Sequence, residues 1–325
     1  MTVRVERGRV AAQVEGFGCM VTPMFSLDGA MVNPMYAAPW DEFVEDPLLA
    51  NLRGDFVCVP FGIAPESLAD FPAGWRELET GVTPFAHGYA ANSVWQSARA
   101  DESSADFVLR YPSQHAVEEL RRTVTCEEAA VTIEDQITVR RDVSLPLGLH
   151  PMFRLPQDAG GARLVLPGCE TLATFPVATD ASSILSPMAL FADPMAAPLR
   201  EGGVVDLTRL PLAQATEELV LLCNVEQPRV SLENVVEGYR VTLEWEADYL
   251  KHCLLWISNK GRSFAPWNGR NLCIGVEPVT SAFDLGTAVS AARNPLAALG
   301  IPTAVPLTVG RTHSLRHSFR LEPMR

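Results

Sequence analysis

Val131-Thr-Ile-Glu-Asp-Gln-Ile-Thr-Val139 decides the fold class. Val131, Ile133, Ile137 and Val139 fall on one face of an extended chain, and Thr132, Glu134, Gln136 and Thr138 fall on the other. This is the period of two that marks a half-buried strand. Val241, Leu243 and Trp245 repeat it in Arg240-Val-Thr-Leu-Glu-Trp245. Two apolar runs, Glu218 to Val225 and His252 to Ser258, have no polar face and predict central strands covered on both sides. Strands at this spacing, punctuated by Pro, Gly and Asn, point to a sandwich.

Helical pattern is scarce. Asp46-Pro47 and Asn294-Pro295 are cap-then-proline starts, predicting short turns of helix over 46–53 and 294–299. Residues 179–203, rich in Ala, Pro, Ser and Met, read as a long surface excursion over the sheet. Strand and helix do not alternate, which argues against a parallel α/β enzyme. No Gly-x-Gly-x-x-Gly or Walker loop is present, and the one run resembling a nucleophile elbow lacks its serine. With 325 residues, 47% of them hydrophobic, the chain can build a large core, and no repeat or linker divides it. The expectation is therefore one all-β, antiparallel domain over 1–325.

The net charge of −13, with no basic stripe, makes nucleic acid and anionic membranes poor partners. Neither a signal peptide nor a run of ~20 apolar residues is visible, so the expected location is the cytoplasm. Seven scattered cysteines without a Cys-x-x-Cys pair read as small buried hydrophobes, not as disulfides or a zinc site.

Three segments carry candidate chemistry. In Leu145-Pro-Leu-Gly-Leu-His150-Pro-Met-Phe-Arg154, the residue two before His150 on its face is Gly148, which leaves room for a ligand. Pro151 keeps His150 extended. In Arg270-Asn-Leu-Cys-Ile-Gly-Val-Glu277-Pro-Val-Thr280, Leu272, Ile274 and Val276 form a core face, and Glu277 follows Gly275 on the opposite one. A carboxylate ending so apolar a strand must be solvated, paired or functional. In Thr83-Pro-Phe-Ala-His87-Gly-Tyr-Ala-Ala-Asn-Ser-Val-Trp95, His87 sits in a turn ahead of an aromatic strand. Each has an ordinary structural explanation: a strand-end histidine bonded to backbone, a glutamate reaching water, a turn histidine. The shared Gly-x-(His or Glu)-Pro design of the first two is what raises them above that. His115, His252, His313 and His317 suggest only surface or core positions.

His87-Gly-Tyr…Trp95, Gly148-Leu-His150-Pro-Met-Phe, and Leu255-Trp256…Pro266-Trp267…Ile274-Gly-Val-Glu277-Pro-Val-Thr280 together resemble the aldose 1-epimerases, or galactose mutarotases. The likeness extends over roughly 40–320 and is nearest the hexose-6-phosphate epimerase-like branch. It implies an antiparallel β-supersandwich of the galactose mutarotase type with a sugar on its concave face. It further implies Glu277 as catalytic base, His150 as catalytic acid and His87 as the histidine that orients the substrate. The chemistry suits these side chains, with acid and base on opposite sides of the sugar and with no metal or other cofactor.

Two positions depart from the pattern. The expected first-loop arginine is displaced if it is Arg53, and Glu217 stands where an aspartate is expected. Trp95, Trp256 and Trp267 could stack on a sugar or pack in the core, with core favoured for Trp256. The implied activity is anomer interconversion of a sugar, by a monomer or homodimer. The alternatives are a non-catalytic carbohydrate-binding or regulatory protein and a polysaccharide-degrading enzyme on a similar scaffold.

Overall fold

The structure, a computed structural model, describes residues 1–324. Its named strands pair antiparallel throughout and form two large sheets. Val131–Val139 lies within a sheet of nine strands, between Val117–Cys126 and His313–Pro323. Its alternation is as expected: odd positions are buried, even positions half-exposed.

The second sheet has eight strands, centred on Thr216–Val225, His252–Asn259 and Leu272–Thr280. The two apolar runs fall here and are covered on both faces. Val220, Leu222, Leu255, Ile257, Ile274 and Val276 face the nine-stranded sheet. Leu219, Leu221, Leu254, Trp256 and Val279 face the opposite way, beneath loops and short helical turns. The period of two thus places Glu277, in step with Val279, on the loop-covered face.

Both predicted helical turns form. Pro47–Asn51 is capped by Asp46, whose Oδ1 accepts from Leu49 N at 2.9 Å. Pro295–Ala298 is capped by Asn294, which accepts from Ala297 N at 3.0 Å. Two further turns, Gly88–Ala91 and Gly286–Ala291, have no side-chain cap. The 179–203 segment is more anchored than a surface excursion: Leu185 and Ala197 are buried in the inter-sheet core, and Ser183 Oγ donates to Glu217 O at 2.7 Å.

The first 32 residues supply a four-stranded sheet whose Val5, Val14 and Phe25 join the same core. No described helix is long and apolar enough to cross a membrane.

Candidate functional site

On the loop-covered face of the eight-stranded sheet lies a cavity of ≈ 260 Å³, and His87, His150 and Glu277 all line it. Leu272–Thr280 brings up Glu277 from the floor. His150 follows Leu147–Leu149, whose Gly148 pairs with Val279 of that strand. His150 Nε2 stands 3.5 Å from Glu277 Oε1. The His87 ring meets the His150 ring edge-on at 4.8 Å between centroids.

The glycines of the two motifs work differently from the sequence expectation. They leave room for protein groups, not directly for a ligand. A Cβ on Gly148 would sit 2.3 Å from Phe61 Cδ2, so the space is taken by Phe61, which in turn packs edge-on against His87. A Cβ on Gly275 would sit 2.4 Å from Glu277 Oε1, so that glycine lets the carboxylate fold back over its own strand.

His87 is held by backbone. It adopts a left-handed conformation with φ 57°, and its N–H donates to Gly62 O at 3.0 Å. Gly62, with φ 99°, is where three segments cross. Ile63 N donates to Asp284 O at 2.6 Å, and a Cβ on Gly62 would lie 2.5 Å from that same oxygen. On its other side, Phe56 stacks on the His150 ring at 4.6 Å and 15°, and Phe56 O accepts from His150 N at 2.8 Å.

Electrostatics push the central groups toward neutrality. Burial, reinforced by Asp284, holds the Glu277 carboxyl well above the usual carboxylate range. Burial and the neighbouring His87 hold His150 well below the ordinary imidazole value. Burial, then Arg262, lowers His87 to about 4, and burial raises Asp284 to about 6. Both shifts favour a His150–Glu277 pair that carries one proton. A neutral acid beside a neutral imidazole and a carboxylate beside an imidazolium contain the same number of protons. Nδ1 of His87, Nδ1 of His150 and Oε1 of Glu277 are buried without a hydrogen-bond partner among the described residues. A ligand rich in hydroxyls can both donate to and accept from such a set.

The other expected residues divide. Trp256 and Trp267 line the cavity and are both buried in the apolar cluster behind it, so the core placement favoured for Trp256 holds while one face of it is also cavity wall. Trp95 lies outside it: buried, it donates from Nε1 to Ala90 O at 3.0 Å and from its backbone to Gly16 O at 2.8 Å. It ties the turn after His87 to the N-terminal sheet. Arg53 also lies outside, bonding Asn51 O and facing Glu15 at 4.0 Å. Glu217 stands behind the wall, where its carboxylate accepts from Trp256 Nε1 at 2.5 Å and Ser258 Oγ at 2.9 Å and pairs with Arg262 at 3.0 Å.

Arg262 and Asp284 are cavity residues that the sequence motifs did not reveal. Arg262 lies over the Trp267 ring at 4.5 Å and over Trp256 at 5.7 Å. The signal available was its position in the loop between those two tryptophans. Asp284 follows Thr280 in a segment with no motif, and nothing in its spelling marks it.

No protein-family model matches the chain, and no curated protein matches it. Solved structures do. A protein of Escherichia coli K12, described as a candidate aldose 1-epimerase, aligns at TM-score 0.69 and 14% identity over 100% of this chain and 99% of its own. An aldose epimerase homologue from C. elegans aligns at 0.65 and 13%, over 100% and 99%. A galactose mutarotase related enzyme from Lactobacillus acidophilus aligns at 0.63 and 13%, over 100% and 98%. None of these descriptions names a sugar phosphate. The alignment takes in the N-terminal sheet that the sequence likeness over 40–320 had left out, and the chain shares from end to end the fold of aldose 1-epimerase and galactose mutarotase-like structures.

Proposed function

We propose that the cavity binds an aldose by its anomeric end and that the protein interconverts the α and β anomers. The observation that carries this reading is the meeting of Glu277 and His150 at 3.5 Å inside one cavity, with His87 against His150. The pair does not flank a sugar ring from opposite sides, as the sequence likeness implied. It presents base and acid side by side. That suits the reaction, because the anomeric hydroxyl and the ring oxygen are bonded to the same carbon.

In the one-proton state, Glu277 as carboxylate takes the proton of the anomeric hydroxyl while His150 as imidazolium protonates the ring oxygen. The bond from C1 to the ring oxygen breaks and leaves an aldehyde. Rotation about the adjacent carbon–carbon bond presents its other face, and the reverse transfers close the ring. His87, fixed by backbone and edge-on to His150, orients the sugar. Arg262, held over Trp267, donates to a hydroxyl.

The test is exchange spectroscopy by NMR on freshly purified protein with a panel of free aldoses. At least one should interconvert well above the buffer rate. Saturable sugar binding with no exchange for any sugar would instead make this a carbohydrate-binding protein.

A further inference from the structure

Three carboxylates line the cavity among the described residues: Asp46, Glu277 and Asp284. Two of them are engaged within the protein. Asp46 caps Leu49 N, and Glu277 faces His150 at 3.5 Å. Glu217, expected from the sequence to touch substrate, is engaged too, by Trp256, Ser258 and Arg262. Asp284 differs. It is half-buried, and its side chain makes no hydrogen bond or ion pair among the described residues. It lies two residues ahead of the Gly286–Ala291 turn, which has no side-chain cap, so its carboxylate is not used there either. An ionised carboxylate can only accept hydrogen bonds, and one withdrawn from water without a donor is costly.

A strained turn holds Asp284 in place. Phe283, just before it, adopts a left-handed φ of 51°, which is rare for a bulky side chain and persists only where the surroundings enforce it. They do so here. The Phe283 ring is buried against Phe175 at 5.3 Å and Trp75 at 6.1 Å, and Phe283 O accepts from Ser281 Oγ at 2.6 Å. Asp284 O accepts from Ile63 N at 2.6 Å, next to Gly62, whose own O accepts from His87 N. One knot of backbone thus positions both Asp284 and His87. Asp284 is close enough to the reacting pair for its charge to raise the Glu277 carboxyl. In a cavity of ≈ 260 Å³, a ligand seated against Glu277 and His150 shares its space with Asp284.

We infer that Asp284 is a ligand-binding residue that selects the sugar: its carboxylate accepts a hydrogen bond from a hydroxyl group other than the anomeric one. This rests on reading the cavity as an aldose site. The free acceptor that the sequence placed at Glu217 is supplied instead by Asp284.

The experiment takes whichever of D-glucose, D-galactose and D-mannose binds best, with its 2-, 3-, 4- and 6-deoxy derivatives. Affinity is measured by calorimetry and anomer exchange by NMR, for wild type, Asp284→Ala and Asp284→Asn. In wild type, removing the hydroxyl that meets Asp284 should weaken binding about 10- to 100-fold, the range for a hydrogen bond to a charged group. Asp284→Ala should weaken the parent sugar by a similar factor, and removing that same hydroxyl should then cost almost nothing more. A second readout is proton release. The charged and titratable neighbours of Asp284 in the cavity are Arg262, Glu277, His150, His87 and Asp46. Glu277 is held well above and His150 well below its ordinary value, and His87 is lowered to about 4, whereas Asp284 is raised to about 6. A hydroxyl donor favours the ionised carboxylate, so binding near pH 6 should release a fraction of a proton, read from the dependence of the heat on the buffer. Asp284→Asn should release none. Deoxy penalties that are the same in wild type and Asp284→Ala overturn the inference, however fast the exchange. Should Asp284→Ala not fold, binding by wild type without proton release near pH 6 overturns it instead. A hydroxyl coupled to Asp284 without any anomer exchange upholds the inference and overturns the proposed reaction. If none of the three sugars binds, both fall.

Discussion

At Gly275 a single methyl group decides where Glu277 can stand. A Cβ there would lie 2.4 Å from the carboxylate oxygen and 3.0 Å from Trp256 Cβ, so Gly275→Ala must turn the carboxylate away. Misplacement of a reacting group by about an ångström costs ~10²-fold, and kcat/KM for anomer exchange should fall by at least that much. Circular dichroism should confirm that the fold is kept, and undiminished exchange would refute the assigned geometry. Asp284 offers a second test at this scale. Its charge helps to raise the Glu277 carboxyl. The active state of the His150–Glu277 pair holds one proton, so activity falls at acid pH when a second is added and at alkaline pH when the last is lost. Asp284→Asn removes the charge that makes the last proton hard to lose. The alkaline limb of the kcat/KM profile should therefore move to lower pH, as a profile against wild type would show.

Individual elements explain why some of this was legible and some was not. Cap-then-proline pairs announced the turns at Pro47–Asn51 and Pro295–Ala298, because Asp46 and Asn294 carry a side chain that can satisfy a free N–H. Gly88–Ala91 and Gly286–Ala291 begin at glycines with φ 86° and 75° and have no side-chain cap, so there was no such signal to find. The motifs of Leu272–Thr280 and Leu147–Leu149 were visible, but not what filled the space beside their glycines. Beside Gly148 it is Phe61, more than eighty residues away in sequence, and beside Gly275 it is the Glu277 carboxylate folded back on its own strand. Arg53 and Trp95, expected at the site, lie outside the cavity, and distance in sequence hid Arg262, which pairs with Glu217 of Thr216–Val225. Glu217→Gln removes the negative partner of Arg262 while keeping the size of the side chain. Loss of one hydrogen bond to a charged group is worth ~1.5 kcal/mol, so KM should rise about 10-fold while kcat is nearly unchanged. A fall in kcat at constant KM would instead place Glu217 in the chemistry.

Across the whole molecule, the site is braced by a buried charge cluster between the two large sheets. Arg122 and Asp135 are register partners in the nine-stranded sheet, bonded twice at 2.7 and 2.9 Å. Arg122 also lies 3.4 Å from Asp55 Oδ2, which His317 Nε2 meets at 3.0 Å, and all four side chains are fully or almost fully buried. Asp55 immediately precedes Phe56, the ring stacked on His150, so the cluster fixes the segment that supports the acid. Asp135 interrupts the apolar face of Val131–Val139, and the alternation that revealed the strand gave no account of it. Asp135→Ala leaves Arg122 short of a buried partner and should destabilise the protein by ~3–5 kcal/mol in urea denaturation. Wild-type stability would show that the cluster braces nothing.

All of these supports converge on one carboxylate, and the most direct measurement is NMR anomer exchange by Glu277→Gln beside wild type on the best sugar. Gln keeps the shape but cannot take the anomeric proton. The expected result is a folded variant that still binds the sugar and exchanges its anomers ~10²–10⁴-fold more slowly. A Glu277→Gln variant that exchanges anomers as fast as the wild type would contradict the account.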